Sequence, residues 1–201
     1  MLLALRSINL DAPLQLSGQS LILTELILPR NAIARKAVLK DVRLTRGRRS
    51  LARQPFYEKA LLKEKVDGLF GLRVSVTRPL KNPELNQFLR RLLATGLESS
   101  VDLLSPLLIR YLPLGDVLEE AGEWGADRLL ESSSNFIATG GLDLESESLT
   151  SGKLMIDLKL TETIRKSDLP PGPKSREKRK TAAVSYKKGT VVGQISFDLT
   201  V

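Results

Sequence analysis

Neither a cysteine nor a histidine occurs anywhere in the chain. The first absence removes disulfides, thiolate nucleophiles and zinc–thiolate sites together, and leaves the redox compartment unreadable from thiols. The second removes the usual general base near neutral pH, the nucleophile triads built on it, and most transition-metal sites. The chain is therefore read as non-catalytic, with no cofactor and no metal. Aromatic residues make up only 4% of it, too few for the interleaved stacking platforms of single-strand nucleic-acid binders. No apolar run approaches the ~20 residues of a membrane-spanning helix, since LILTELIL is broken by Glu25. The start, MLLALRSINLD, carries neither a basic leader nor a small-residue cleavage signal, so a cytoplasmic protein is expected, with peripheral membrane association left open.

What is present is an ordinary soluble composition, 42% hydrophobic and 27% charged over 201 residues. A chain of this length buries roughly 70 to 75% of its unfolded surface, so one domain with one core is expected. The terminal GQISFDLTV puts Ile195, Phe197, Leu199 and Val201 on one side and polar residues on the other, the period of a half-buried strand. KLMIDLKLTETI does the same with Leu154, Ile156, Leu158 and Leu160, and LRVSVT with Leu72, Val74 and Val76. Weaker strand patterns occur near residues 2 to 10, 20 to 28 and 37 to 45. Asp67-Gly68 predicts a hairpin that makes KALLKEKV a strand beside LFGLRVSVT. Ser151-Gly152 predicts a second turn, and Lys187-Lys188-Gly189 a third, joining a short strand near 181 to 186 to the last one.

The middle of the chain changes period. Asn82-Pro83 has the side chains of a helix start, and Leu85, Phe88, Leu89, Leu92 and Leu93 follow at helical spacing. Pro106 and Pro113 bracket a break before a second amphipathic pattern from Asp116 to Leu129, where Trp124 reads as a packing residue. The expected fold is mainly β (α+β): an antiparallel β-sandwich with a two-helix insertion at about 82–133. Residues 1–81 supply strands, and residues 134–201 supply strands with a basic loop at 167–188.

That loop carries most of the chain's charge. Lys174, Arg176, Lys178, Arg179, Lys180, Lys187 and Lys188 stand against Glu177, so about +6 of the net +8 lies within residues 174–188. Pro170, Pro171 and Pro173 keep the approach extended, and with few apolar side chains to bury, residues 167–180 are expected to be mobile. RLTRGRRSLAR holds a second cluster, Arg43, Arg46, Arg48, Arg49 and Arg53, at a predicted strand-to-strand loop. Arginine forks there suit phosphate or carboxylate. If the two loops leave the same end of the fold, they form one anion site.

Two other stretches bear on function. In LDLESES, Asp143, Glu145 and Glu147 alternate along a predicted strand, a spacing open to calcium or to glycoside chemistry, though a solvent-facing edge explains it as well. PLLIRYLPL offers Leu107, Leu108, Ile109, Tyr111 and Leu112 as a contact for a partner or a second copy, because a proline-bounded connector cannot turn all of them inward. No glycine-rich phosphate loop is present, and no small-molecule substrate is identified. In layout alone the chain resembles the lipid- and calcium-binding β-sandwich modules, which implies headgroup binding through end loops. The expected function is a binding or scaffold module that meets an anionic surface, membrane headgroups or an acidic partner protein, and that could belong to a larger assembly. The alternatives are a protein that binds the nucleic-acid backbone and, second, a carboxylate-based enzyme or calcium-binding module.

Overall fold

The computed structural model describes residues 1–28, 35–81, 136–165 and 185–201. In chain order these form β1 (Leu2–Leu10), β2 (Gly18–Ile27), β3 (Arg35–Leu44), β4 (Arg48–Ser50), the one-turn helix α1 (Phe56–Lys59), β5 (Ala60–Lys63) and β6 (Leu69–Thr77). After residues 82–135 come β7 (Phe136–Glu145), a 3-10 turn (Ser146–Ser148), β8 (Gly152–Leu160), β9 (Ile164–Arg165), β10 (Ser185–Tyr186) and β11 (Val191–Thr200). The expected two-helix insertion and PLLIRYLPL lie outside the described residues, as does the mobility expected of residues 167–180.

The antiparallel, mainly β expectation holds, but the sheet arrangement differs from the expected one. Nine strands form one hydrogen-bonded sheet in the order β3-β2-β6-β7-β8-β11-β1-β4, with β5 also on β1, and it curls into a nearly closed barrel. Register shifts between Leu5 and Ser7, between Val76 and Thr77, and between Val191 and Gly193 sharpen the curl. A single strongly bent sheet then encloses one core with its own concave face. Leu5, Ile8, Ile22, Leu26, Phe70, Val74, Ile156, Leu158, Ile195 and Phe197 all belong to that core. The terminal strand buries Ile195, Phe197 and Leu199 as its sequence requires, but Ser196, expected on the polar side, is also buried, hydrogen-bonded to Ser7, and Val201 lies past the end of β11 and is exposed.

Two turn predictions placed the chain reversal correctly and the pairing wrongly. Gly68 has a positive φ of 66°, yet β5 pairs with β1 while β6 pairs with β2 and β7, so Asp67-Gly68 is a crossover between strands that never meet. The residues before β5, Phe56–Lys59, form a helical turn rather than a strand. Gly189 likewise turns the chain, but β10 pairs with β9 and not with β11. Local turn chemistry sets the bend, and the competition for partners across the sheet sets who pairs.

The barrel closes at one end and parts at the other. β7 follows β6 from Leu69↔Glu145 to Thr77↔Phe136, and β8 follows β11 from Val191↔Lys159 to Leu199↔Gly152. Between β7 and β8 only Ala138↔Leu160 and Thr139↔Lys159 are paired. At Gly140 the two strands cross so closely that a Cβ would fall on the Asp157 carbonyl. Beyond it the loop is pulled both ways: Ser146 exchanges hydrogen bonds with Gly68, and Ser151 Oγ accepts from Val201 N at 3.0 Å.

The second gap lies beside β3, whose ladder partner is β2. Lys40 sits opposite Ile22 and between Val38 and Val42, so its stem is on the core side of this edge strand. An inward-pointing charge on an edge strand opposes pairing with another chain. Desolvation lowers its pKa from 10.5, against the opposing pull of Asp41 and Glu58. A lysine pKa lowered by folding means that the charged form destabilises the fold at neutral pH, a deficit relieved as pH rises toward 10.5. Lys40→Met should therefore raise the melting temperature at pH 7 by about 2 °C or more, and the gap to the parent should narrow at pH 10. A lower melting point for the variant would show that the pairing with Asp41 and Glu58 outweighs desolvation.

Candidate anion-binding end and outer groove

β1, β3, β6 and β8 all finish at the closed end of the barrel, where β2, β4, β7 and β11 begin. The arginine cluster reaches this end through the β3–β4 turn. Arg46 and Gly47 have φ of 50° and 75°, which makes a two-residue hairpin turn with both central residues left-handed. Thr45 and Arg48 exchange two 3.0 Å backbone hydrogen bonds beneath it. Gly47 cannot be replaced cheaply, because a Cβ there would stand 2.6 Å from the Leu10 carbonyl. Its amide donates to Leu16 O at 2.6 Å, and its carbonyl accepts from Leu10 N at 2.9 Å, so the glycine faces the body and Arg46 faces water.

The lysine turn leads into β11, and β11 is bonded to the same connection. Asp11 N donates to Val192 O at 2.7 Å, so residues 11–17 touch β11 at one side and Gly47 at the other. Thr190 N closes the turn on Lys187 O at 3.1 Å, and Gly189 N donates to Leu160 O at 2.9 Å. Lys187, Lys188, Arg46, Arg48, Arg49 and Arg53 are all exposed, and among the described residues they form no ion pair closer than 4 Å. Arg43 is exposed on β3. Lys174, Arg176, Lys178, Arg179 and Lys180 lie outside the described residues. The flanking residues, Arg165 and Ser185, pair with each other in β9–β10, and Lys188 N donates to Thr163 Oγ1 at 3.1 Å beside them.

A second concavity was invisible in the sequence. On the convex face of β6, β7 and β8, where β7 leaves β8, a groove of about 430 Å3 is floored by Gly71, Gly140 and Gly141. Arg73, opposite Gly141, and Lys159, opposite Thr139, flank β7 from its two sides, and Asp143 lies farther along. The Thr139 hydroxyl donates to Val74 O at 3.0 Å. Arg73 Nε is 3.9 Å from the buried Glu25 carboxylate, beyond hydrogen-bond reach. Two cations over a bare backbone suit a small carboxylate or phosphate group. They are 86 residues apart in sequence, so only the sheet brings them together.

The acidic run is divided. Asp143 and Glu145 are exposed on β7 while Leu142 and Leu144 pack partly on the core, but Glu147 lies in the 3-10 turn and leaves the strand's alternation. Among the described residues no group of three or more acidic side chains is placed to hold a metal ion, and no helix is long and apolar enough to cross a membrane. No family model, curated protein or solved structure matches the chain.

One charge cluster ties the basic flank together. Asp198 on β11 accepts from Arg6 Nη1 at 2.8 Å and from Lys59 Nζ at 3.3 Å. The hydrogen bond from Arg6, followed by that from Lys59, holds its pKa below 3.8 despite some desolvation. A depressed carboxylate pKa adds stability at and above neutral pH that is lost as pH falls through the folded value. The side chain is 31% exposed, so the contribution is screened. Asp198→Asn should lower stability at pH 7 by less than about 1 kcal/mol, and denaturant melts of parent and variant should converge well below pH 3.8. A difference that persists at pH 2 would assign the effect to packing.

Proposed function

We propose that this chain is a non-catalytic binding or scaffold module that meets an anionic surface, acidic membrane headgroups or an acidic partner protein, through the basic loops at one end of its barrel. The supporting observation is that two basic turns far apart in sequence lie at the same end of the barrel: Arg46-Gly47 is hydrogen-bonded to the connection formed by residues 11–17, and Lys187-Lys188 leads into β11, whose Val192 carbonyl accepts from Asp11 of that connection. Among the described residues their side chains have no partner of opposite charge within 4 Å, which favours an external anion. Each cation at an acidic bilayer adds about 1 kcal/mol of attraction, so several on one face give useful binding where one would not.

Replacing Arg46, Arg48, Arg49 and Arg53 together by Gln should leave the melting temperature within about 2 °C of the parent, because exposed charges contribute little to folding. Sedimentation with vesicles of phosphatidylserine and phosphatidylcholine, and binding to polyglutamate, should both be measured across salt. The variant should lose at least about tenfold in affinity for whichever the parent binds, with a weaker salt dependence. A parent that ignores both probes overturns the proposal, and one that instead binds duplex DNA with a steep salt slope moves the function to the nucleic-acid backbone.

A further inference from the structure

We infer that the Phe56–Tyr57 turn is a membrane-insertion tip, which makes the anionic surface a lipid bilayer; the inference rests on the anionic-surface reading above. β4 and β5 occupy the same place beside β1, with Ser50 opposite Ser7 and Ala60 opposite Ala4. Residues 51–59 therefore leave and rejoin the same edge of β1 only three residues apart, with Leu51 N still bonded to Arg6 O at 2.8 Å, and the residues between, too many to span that short gap extended, bow out from the flank of the barrel beside the β1 bulge between Leu5 and Ser7. The projection is built. Leu51 is buried at its base, Gln54 N donates to Leu51 O at 3.0 Å, and Glu58 N donates to Pro55 O at 3.1 Å.

An ordered turn ordinarily buries its large apolar side chains, and α1 buries none. Phe56 is 52% exposed and Tyr57 is 78% exposed, whereas Phe70, Phe136 and Phe197 are at 4% or less. In a chain so poor in aromatics, two adjacent rings held out in water have no role in the core. The charges around them are mostly positive: Arg53 precedes the turn, Arg48 and Arg49 lie on the adjoining strand, and Lys59 follows it, paired with Asp198, which Arg6 also contacts. Glu58, the turn's own carboxylate, acts on Lys40 across the gap beside β3.

Rings with an apolar body, next to cations, are the side chains that settle at the headgroup level of a bilayer, with the cations in the anionic layer above. An acidic protein would use the arginines and leave the rings idle. A nucleic-acid single strand would use both, but such binders run the strand along a groove, and these rings stand on a projection.

The absence of cysteine allows a single labelled position. Tyr57→Cys, and Glu147→Cys in the turn that follows β7 as control, would each carry an environment-sensitive fluorophore. With vesicles of equal parts phosphatidylserine and phosphatidylcholine the label at 57 should brighten and shift to the blue, and the control should not. Phe56→Ser with Tyr57→Ser should cut vesicle partitioning by about tenfold or more with an unchanged melting temperature. If the double variant folds poorly, the labelled chain, altered only at the exposed Tyr57, decides alone. A parent that does not bind these vesicles refutes the membrane arm of the broader reading. A parent that binds while the label stays silent and the double variant binds equally overturns the tip and leaves the charge reading standing. A label that responds to oligothymidine and not to vesicles assigns the rings to base stacking and also overturns it.

Discussion

Everything at the basic end depends on how few ladder pairs close the barrel. β7 is bonded to β6 along its length and β8 to β11 along its length, so the joint between β7 and β8 is short: the ladder pairs Ala138↔Leu160 and Thr139↔Lys159, and Thr161 just past β8, whose N donates to Ile137 O at 3.1 Å. On the opposite side the β3–β4 turn makes the closure with one bridge, Thr45↔Arg48. Both joints sit at the same end. The barrel is joined at that end, while β7 and β8 part toward the other, where Leu142, Leu144 and Leu154 are only partly covered.

This asymmetry explains where charge and backbone detail concentrate. A turn that must hold a joint is made of residues with special backbone angles, hence Arg46 and Gly47 at positive φ. Its outward side chains are then free of packing duties and can be cationic without penalty. The same division operates at the splay point, where Gly140 and Gly141 permit close backbone approach and leave an uncovered floor between Arg73 and Lys159. Closure of the sheet thus produces both concentrations of cations, although neither was needed for it.

β2 carries the other structural burden. Residues Ser20 to Leu26 are buried on both faces, including Leu21 and Leu23 on the side away from the core cluster. The buried Glu25 on that side lies near Arg73. A strand enclosed on both faces reads in sequence as a continuous apolar run rather than as alternation, which is why LILTELIL gave a weak strand signal despite being the most enclosed strand of the sheet.

The sequence by itself determined the strands, because period-two burial is written residue by residue: Leu72, Val74 and Val76, or Ile156 and Leu158, point inward wherever the strand is placed. It also located the bends at Gly47, Gly68 and Gly189 through backbone freedom. Only the tertiary structure decided that β5 joins β1 rather than β6, that Lys187 and Arg46 share one end, that Arg73 and Lys159 flank one groove, and that Phe56 and Tyr57 stay in water. A side chain's face is a local property of the chain, whereas partner choice is a competition among all strand edges for hydrogen bonds and among all apolar faces for one core. The outcome of that competition depends on residues far apart along the sequence.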